Sequence, residues 1–191
     1  MTAAAHAGPE DPWRPPTRWY QQRKDAITLA LLPGRRYRHA VQPGCSTGAL
    51  TAQLAGRCDH VTAMDVADAT LRTADARLRR AGCRDRVTLY LSARDAAWPP
   101  GPFDLLVLSE VAYHLDADAL AAVLWRECPR LHWGANVVAA HSRHPGADYP
   151  LTGDAAHAVI AETPGLTSVA RYGDRDVVIE VFDTRPLAAN W

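Results

Sequence analysis

Lysine is almost missing from this 191-residue chain, Lys24 being its single example, and the 21 basic residues are matched by 21 acidic ones. With no net charge there is no basic excess to draw the chain to nucleic acid or to an anionic membrane, so the expected partner is a small molecule. Cysteine is sparse: Cys45, Cys58, Cys83 and Cys128 are far apart and form no CxxC pair. That spacing suggests neither a zinc site nor a dense disulfide framework, and the four are expected as reduced thiols. No run of apolar residues reaches membrane-spanning length, and residues 1–16 contain no apolar signal core, so neither an anchor nor a signal peptide is expected and the expected location is the cytoplasm. Repeats and low-complexity tracts are absent, and nothing indicates an oligomeric state.

What is present reads as one domain. Residues 1–16 carry Gly8, Pro9, Pro12, Pro15 and Pro16, which predicts a flexible arm before a single domain spanning 17–191. Tyr20, Ile27 and Leu31 recur at helical spacing and Pro33-Gly34 follows, predicting a helix over 17–32 that could form a lid or a flank. Strands are predicted at 37–41, 60–65, 87–91, 103–109 and 136–141. Helices are predicted at 48–55, 68–81 and 116–127, the last N-capped by Asp116 and ended by Pro129. Apolar strands separated by helices belong in a parallel sheet covered on both faces. The patterns at 166–172 and 177–182 are separated only by Gly173-Asp174-Arg175-Asp176, a connection short enough to force a hairpin. The expected fold is therefore α/β: a Rossmann-like, doubly wound, mostly parallel seven-stranded sheet with an antiparallel C-terminal hairpin strand.

Three polar clusters fall at predicted strand ends, where open α/β sheets bind ligands. The first is Gln42-Pro43-Gly44-Cys45-Ser46-Thr47-Gly48, in which the glycines permit positive φ and close approach of a ligand; alone, it is equally an ordinary strand-to-helix turn. Asp65, followed by Val66, ends the next strand, where its carboxylate could accept both ribose hydroxyls of an adenosine; Asp68 is the better candidate to cap the following helix. The Gly spacing is not GxGxxG and no lysine lies nearby, which disfavours a nucleoside triphosphate. The second cluster, Ser109-Glu110-Val111-Ala112-Tyr113-His114, projects polar groups at the fourth strand end, although Tyr113 and His114 could simply begin a surface loop. The third comprises His141, Arg143, His144, Asp148, Tyr149, Asp154 and His157. A metal on His141, His144 and Asp148 is the weaker reading because HxxH is a poor strand-end spacing, and no metal is expected. Asp154 could N-cap a helix that carries His157.

Trp19-Tyr20 with Arg23-Lys24, Gly44-Cys45-Ser46 with Gly48, Phe103-Asp104-Leu105 leading to Leu108-Ser109-Glu110-Val111, and Leu151-Thr152-Gly153-Asp154 with His157 resemble the NodS-like class I methyltransferases. The resemblance runs from Trp13 onward; its Ser-Glu and Leu-Thr-Gly-Asp-x-x-His blocks are the specific parts, the glycine loop being common to class I methyltransferases. It implies S-adenosylmethionine as methyl donor and N-methylation of an amino group on a sugar-like or natural-product acceptor. Gln42, Gly44, Cys45, Gly48, Asp65, Val66 and Ser109 would then hold the donor. Tyr20, Tyr113, Arg143, Asp154 and His157 would bind the acceptor, and Glu110, His114 or His141 would take its proton.

Two departures stand out. Gln42 replaces the acidic residue expected to hold the donor's ammonium, and Gln21 replaces a Glu beside the Trp-Tyr pair; Pro43 also lacks a backbone donor. Losing one charge-assisted bond costs about 1 to 2 kcal/mol. The rival readings are a methyltransferase fold turned to a non-methylating reaction such as cyclisation, and a non-catalytic partner of a related enzyme. A nicotinamide oxidoreductase is disfavoured by the glycine spacing and the final hairpin.

Overall fold

Leu105–Ser109 is buried at every position, so this strand can only sit between two apolar layers. The computed structural model describes residues 18–144, 146 and 148–185; the expected arm at 1–16 lies outside them. Seven strands, β1 (Tyr37–Pro43), β2 (Cys58–Asp65), β3 (Val87–Leu91), β4 (Leu105–Ser109), β5 (Asn136–Ser142), β6 (Thr167–Gly173) and β7 (Val177–Asp183), form one sheet in the order β3-β2-β1-β4-β5-β7-β6. The pairs among β1 to β5 are parallel. Strand β7 enters antiparallel to both β5 and β6, as the short hairpin requires. The Asp174 carboxylate closes that turn by accepting from the N–H groups of Asp176 (2.8 Å) and Val177 (2.9 Å).

Among the described residues five α-helices, α1 (Arg18–Leu31), α2 (Ala49–Leu54), α3 (Asp68–Arg80), α4 (Ala117–Glu127) and α5 (Gly153–Ala161), cover the sheet. Leu32, Leu54 and Leu78, in or beside α1 to α3, share one core; Leu124 of α4 and Ile160 of α5 share the other, which makes the fold doubly wound. Arg57 fixes the end of α1 by donating to the carbonyls of Leu29 (3.0 Å) and Gly34 (2.6 Å). Asp116 caps α4 by accepting from Ala119 N–H at 2.8 Å, as expected. Among the described residues no helix is long and apolar enough to cross a membrane.

Local differences from expectation follow from side-chain competition. Asp68 does not cap α3: it is the first helical residue and pairs with Arg72 one turn on, while Ala67 holds the cap position and gives its N–H to Asp65 at 3.1 Å. Asp154 does not cap α5 either, because Thr152 takes the cap by accepting from Ala155 N–H at 3.1 Å. Asp104 remains outside β4 and instead accepts from the N–H groups of Arg38 and His39 of β1, both at 2.9 Å.

Candidate functional site

A cavity of about 440 Å³, the size of a small-molecule site, opens where the carboxyl ends of β1, β2 and β4 meet. Its floor is the glycine loop. Gly44 has φ +68°, and a Cβ there would lie 2.7 Å from Val111 Cγ2, so only glycine fits. Gly48 has φ +75° and lies tight against Ala74 of α3. Between them Ser46 also takes positive φ, 50°, which costs a non-glycine residue roughly 1 kcal/mol. Its N–H donates to Asp65 Oδ2 at 2.9 Å, so the carboxylate that ends β2 holds the strained loop in place. Asp65 accepts one backbone N–H on each oxygen and keeps lone pairs for the cavity it lines.

Gln42, 2% exposed, lines the cavity while its Oε1 accepts from the Thr51 hydroxyl at 2.8 Å. Burial, then the charge of Asp65, pushes the Cys45 thiol up to about 12, so it is a packing group and not a nucleophile. Val66 sits half-exposed at the rim. The loop after β3 supplies the opposite wall through Ser92, Arg94 and Trp98, none of which sequence reasoning singled out because no periodic pattern marks that segment.

Helix α1 closes the remaining side, and here the single lysine acquires meaning. Lys24, 3% exposed, donates to Ser109 Oγ at 2.9 Å and lies 3.3 Å from Glu110 Oε1. Glu110 itself has φ 54° and accepts from the hydroxyls of Tyr20 (3.0 Å) and Tyr113 and from Ser142 N–H (3.1 Å). Burial and the Glu110 charge drive both phenols well above their ordinary value, so they remain protonated donors. A carboxylate offers about four acceptor sites, and these contacts use them. Glu110 therefore lines the cavity as a fixed negative charge that ties α1, β4 and β5 together, which argues against its expected role as proton acceptor. Tyr20 and Tyr113 stand behind it and are absent from the cavity wall.

The third cluster divides. His141 is fully buried: its Nε2 accepts from Ala112 N–H at 3.1 Å, which leaves Nδ1–H to donate to His157 Nε2 at 3.1 Å. His157 in turn faces Glu180 Oε2 at 3.4 Å, and Glu180 accepts from Ser168 at 2.6 Å. Burial lowers both histidines, outweighing Glu180 at His157, so the pair is neutral and its hydrogen bonds are committed. Neither reaches the cavity, and the expected roles of His141 as base and His157 as acceptor contact give way to that of a buried brace. Arg143 and Asp154 pair with each other at 2.9 Å, and Arg143 also donates to the Asp174 carbonyl at 2.6 Å, so these expected acceptor contacts lock α5 to the hairpin turn. His144 bonds Asp176 instead of sharing a ligand with His141.

His114 is the histidine that does line the cavity. It is half-buried, its ring meets Tyr149 edge-on at 4.6 Å, and Tyr149 stacks on Tyr113 at 4.5 Å. Neither ring nitrogen has a hydrogen-bond partner among the described residues. Burial, and secondarily the charge of Arg94, lower its pKa against the opposing pull of Glu110, which keeps the imidazole neutral and able to take a proton.

Comparison with known proteins gives the family and the fold. A methyltransferase-domain family matches residues 40–131. A provisionally named methyltransferase of known structure from Pseudomonas syringae is 34% identical, with a TM-score of 0.73, over 87% of this chain and 99% of that one. Trans-aconitate 2-methyltransferase of Deinococcus radiodurans is 32% identical over 162 residues, 81% of this chain and 59% of that protein. The N-methyltransferase NodS of Bradyrhizobium japonicum, solved with S-adenosylhomocysteine, shares the fold at a TM-score of 0.76 and 22% identity, over 92% of each chain. The chain spans about half the length of most curated relatives it matches.

Proposed function

The chain belongs to the S-adenosylmethionine-dependent methyltransferases, with NodS-like relatives, and on that premise we propose that it N-methylates an amino group on a sugar-like or natural-product acceptor. The observation that carries this reading is a cavity at the β1, β2 and β4 ends that combines the Gly44 loop, the Asp65 carboxylate and a neutral His114 whose ring nitrogens have no hydrogen-bond partner among the described residues.

The residues present fit the donor. Asp65 suits a ribose diol, the Gly44 backbone lines the same cavity, and the wall bears carboxylates and no lysine other than Lys24, itself committed to Ser109 and Glu110. When bound, S-adenosylmethionine supplies a methyl carbon already activated by its sulfonium. The protein therefore contributes alignment and charge rather than strong acid catalysis, and positioning supplies several kcal/mol of the barrier. Glu110 sets a negative wall beside the reacting centre without needing to move a proton. His114 takes the proton that the acceptor nitrogen gives up, so the amine reacts neutral and the proton leaves through the imidazole. The same neutral imidazole disfavours a purely non-catalytic role.

A second acceptor class is favoured by Arg94 on the cavity wall and by the name of the Deinococcus relative: a carboxylic acid, methylated on oxygen. A carboxylate nucleophile carries no proton, so it needs no base. Calorimetric titration with S-adenosylmethionine, S-adenosylhomocysteine and NADH, followed by labelled-methyl transfer to amino sugars and to organic polyacids, tests the reading. Micromolar binding of the adenosyl ligands alone and transfer to an amine are expected. Failure to bind them would return the fold to the repurposed, non-methylating alternative, and transfer to polyacids alone would select the second class.

A further inference from the structure

Four cavity-wall residues bear on how the donor's methionine half is held: Gln42, Asp65, Glu110 and Asp25. Gln42 is neutral and engaged with Thr51, Asp65 is tied to the glycine loop, and Glu110 is surrounded by Tyr20, Tyr113, Ser142 and Lys24. Asp25 differs. It is 5% exposed, yet its polar contacts among the described residues are distant: Gln53 Nε2 of α2 at 3.4 Å and Lys24 Nζ at 3.9 Å. Lys24 lies closer to Ser109 and Glu110, so its charge is mainly spent there. A carboxylate buried with so little compensation is costly, and a cationic ligand group would offset that cost. Burial raises its pKa, only partly countered by Lys24, consistent with a group that lacks its full complement of positive charge. Its bond to Gln53 joins α1 to α2, and it lines the same cavity as Gln42 and the glycine loop.

We propose that Asp25 anchors the α-ammonium of the donor's methionine half, taking over from α1 the acidic role that Gln42 lacks at the end of β1. The inference rests on the donor-site reading above and adds to it a binding residue that lies on a different element from the glycine loop. It also turns the apparent defect at Gln42 into a relocation: the charge has moved across the cavity, and α1 becomes part of the donor site as well as its cover.

Two ligands separate the anchor from the rest of the site. S-adenosylhomocysteine carries the ammonium, whereas 5′-methylthioadenosine has the same nucleoside and thioether without the amino acid. Titrated calorimetrically against the full chain, Asp25→Asn is expected to weaken S-adenosylhomocysteine about 10- to 100-fold and to leave methylthioadenosine within about twofold. Asp25→Asn combined with Gln42→Glu is expected to recover most of the loss, because a carboxylate again faces the same cavity. Unchanged S-adenosylhomocysteine affinity in Asp25→Asn overturns the proposal, as does equal loss of both ligands with no recovery in the double variant, which would make Asp25 part of the scaffold. Equal affinity of the unmodified protein for the two ligands overturns the anchor while leaving the donor site standing. Binding of neither ligand removes the donor site itself and the anchor with it.

Discussion

His114, in the turn that follows β4, and His141, near the carboxyl end of the neighbouring β5, are both held neutral by burial, yet the structure gives them opposite work. His114 faces the cavity with both ring nitrogens unpartnered among the described residues. His141 has committed both of its own, one to the backbone of Ala112 and one to His157. The difference shows that a lowered histidine pKa marks a candidate base only where the ring is also free to meet a ligand; the same shift, produced by the same burial, otherwise marks a brace.

That contrast can be broken in five ways. The largest effect is expected at His114: replacement by Gln should lower turnover about 100- to 10,000-fold while S-adenosylhomocysteine affinity holds and the urea midpoint changes little, since no hydrogen bond of the ring is lost and only its edge-on contacts with Tyr113 and Tyr149 are. A drop in binding equal to the drop in turnover would remove it from proton transfer. Replacement of His141 by Ala should do the reverse, destabilising the fold by about 2 to 4 kcal/mol through lost packing and an unpaired Ala112 N–H, with per-molecule activity of the folded protein much less affected. Urea unfolding followed by activity at low temperature checks it.

The brace depends on a close approach that can be tested separately. A Cβ at Gly153 would lie 2.3 Å from the Ser142 carbonyl, so Gly153→Ala should push α5 from β5 and cost about 1 to 3 kcal/mol in the same unfolding assay. The smallest effect is on acid stability. Both buried histidines have folded-state pKa values below the ordinary 6.5, so the unfolded chain binds more protons as pH falls past that value. Their contribution is full above about pH 6.5 and is lost as pH falls toward the folded values, and the decline should be shallower in a His157→Gln variant. Over the same range the amine-transfer rate should rise with pH through a value below 6.5 set by His114, and that limb should vanish in His114→Gln.

The fold was largely legible in the chain because its signals are local. The strongly apolar run that became β4, the Asp116 cap and the short Gly173-to-Asp176 turn each specify an element without reference to distant residues. Legibility ran out where side chains compete for the same role. Thr152 and Asp154 are both good caps, and the choice fell to Thr152 because Arg143 draws Asp154 away. The glycine loop and Asp65 were readable as a pair from their spacing. The wall after β3, with Arg94 and Trp98, carries no comparable signature.

What the sequence alone determined was the element order, the hairpin, the glycine loop and the polar residues that end β1, β2 and β4, because backbone preference and apolar periodicity act within short segments. What only the tertiary structure decided was which polar residues face a ligand and which face one another. Glu110, His141, Arg143, Asp154 and His157 look like chemistry in one dimension; in three they are satisfied largely by groups far along the chain, from Tyr20 to Glu180. Lys24 and Asp25 show the converse, since nothing local on α1 tells that folding will carry both to the cavity wall. Hydrogen bonding and charge compensation are settled by proximity in space, and that proximity exists only once the sheet has brought the strand ends together.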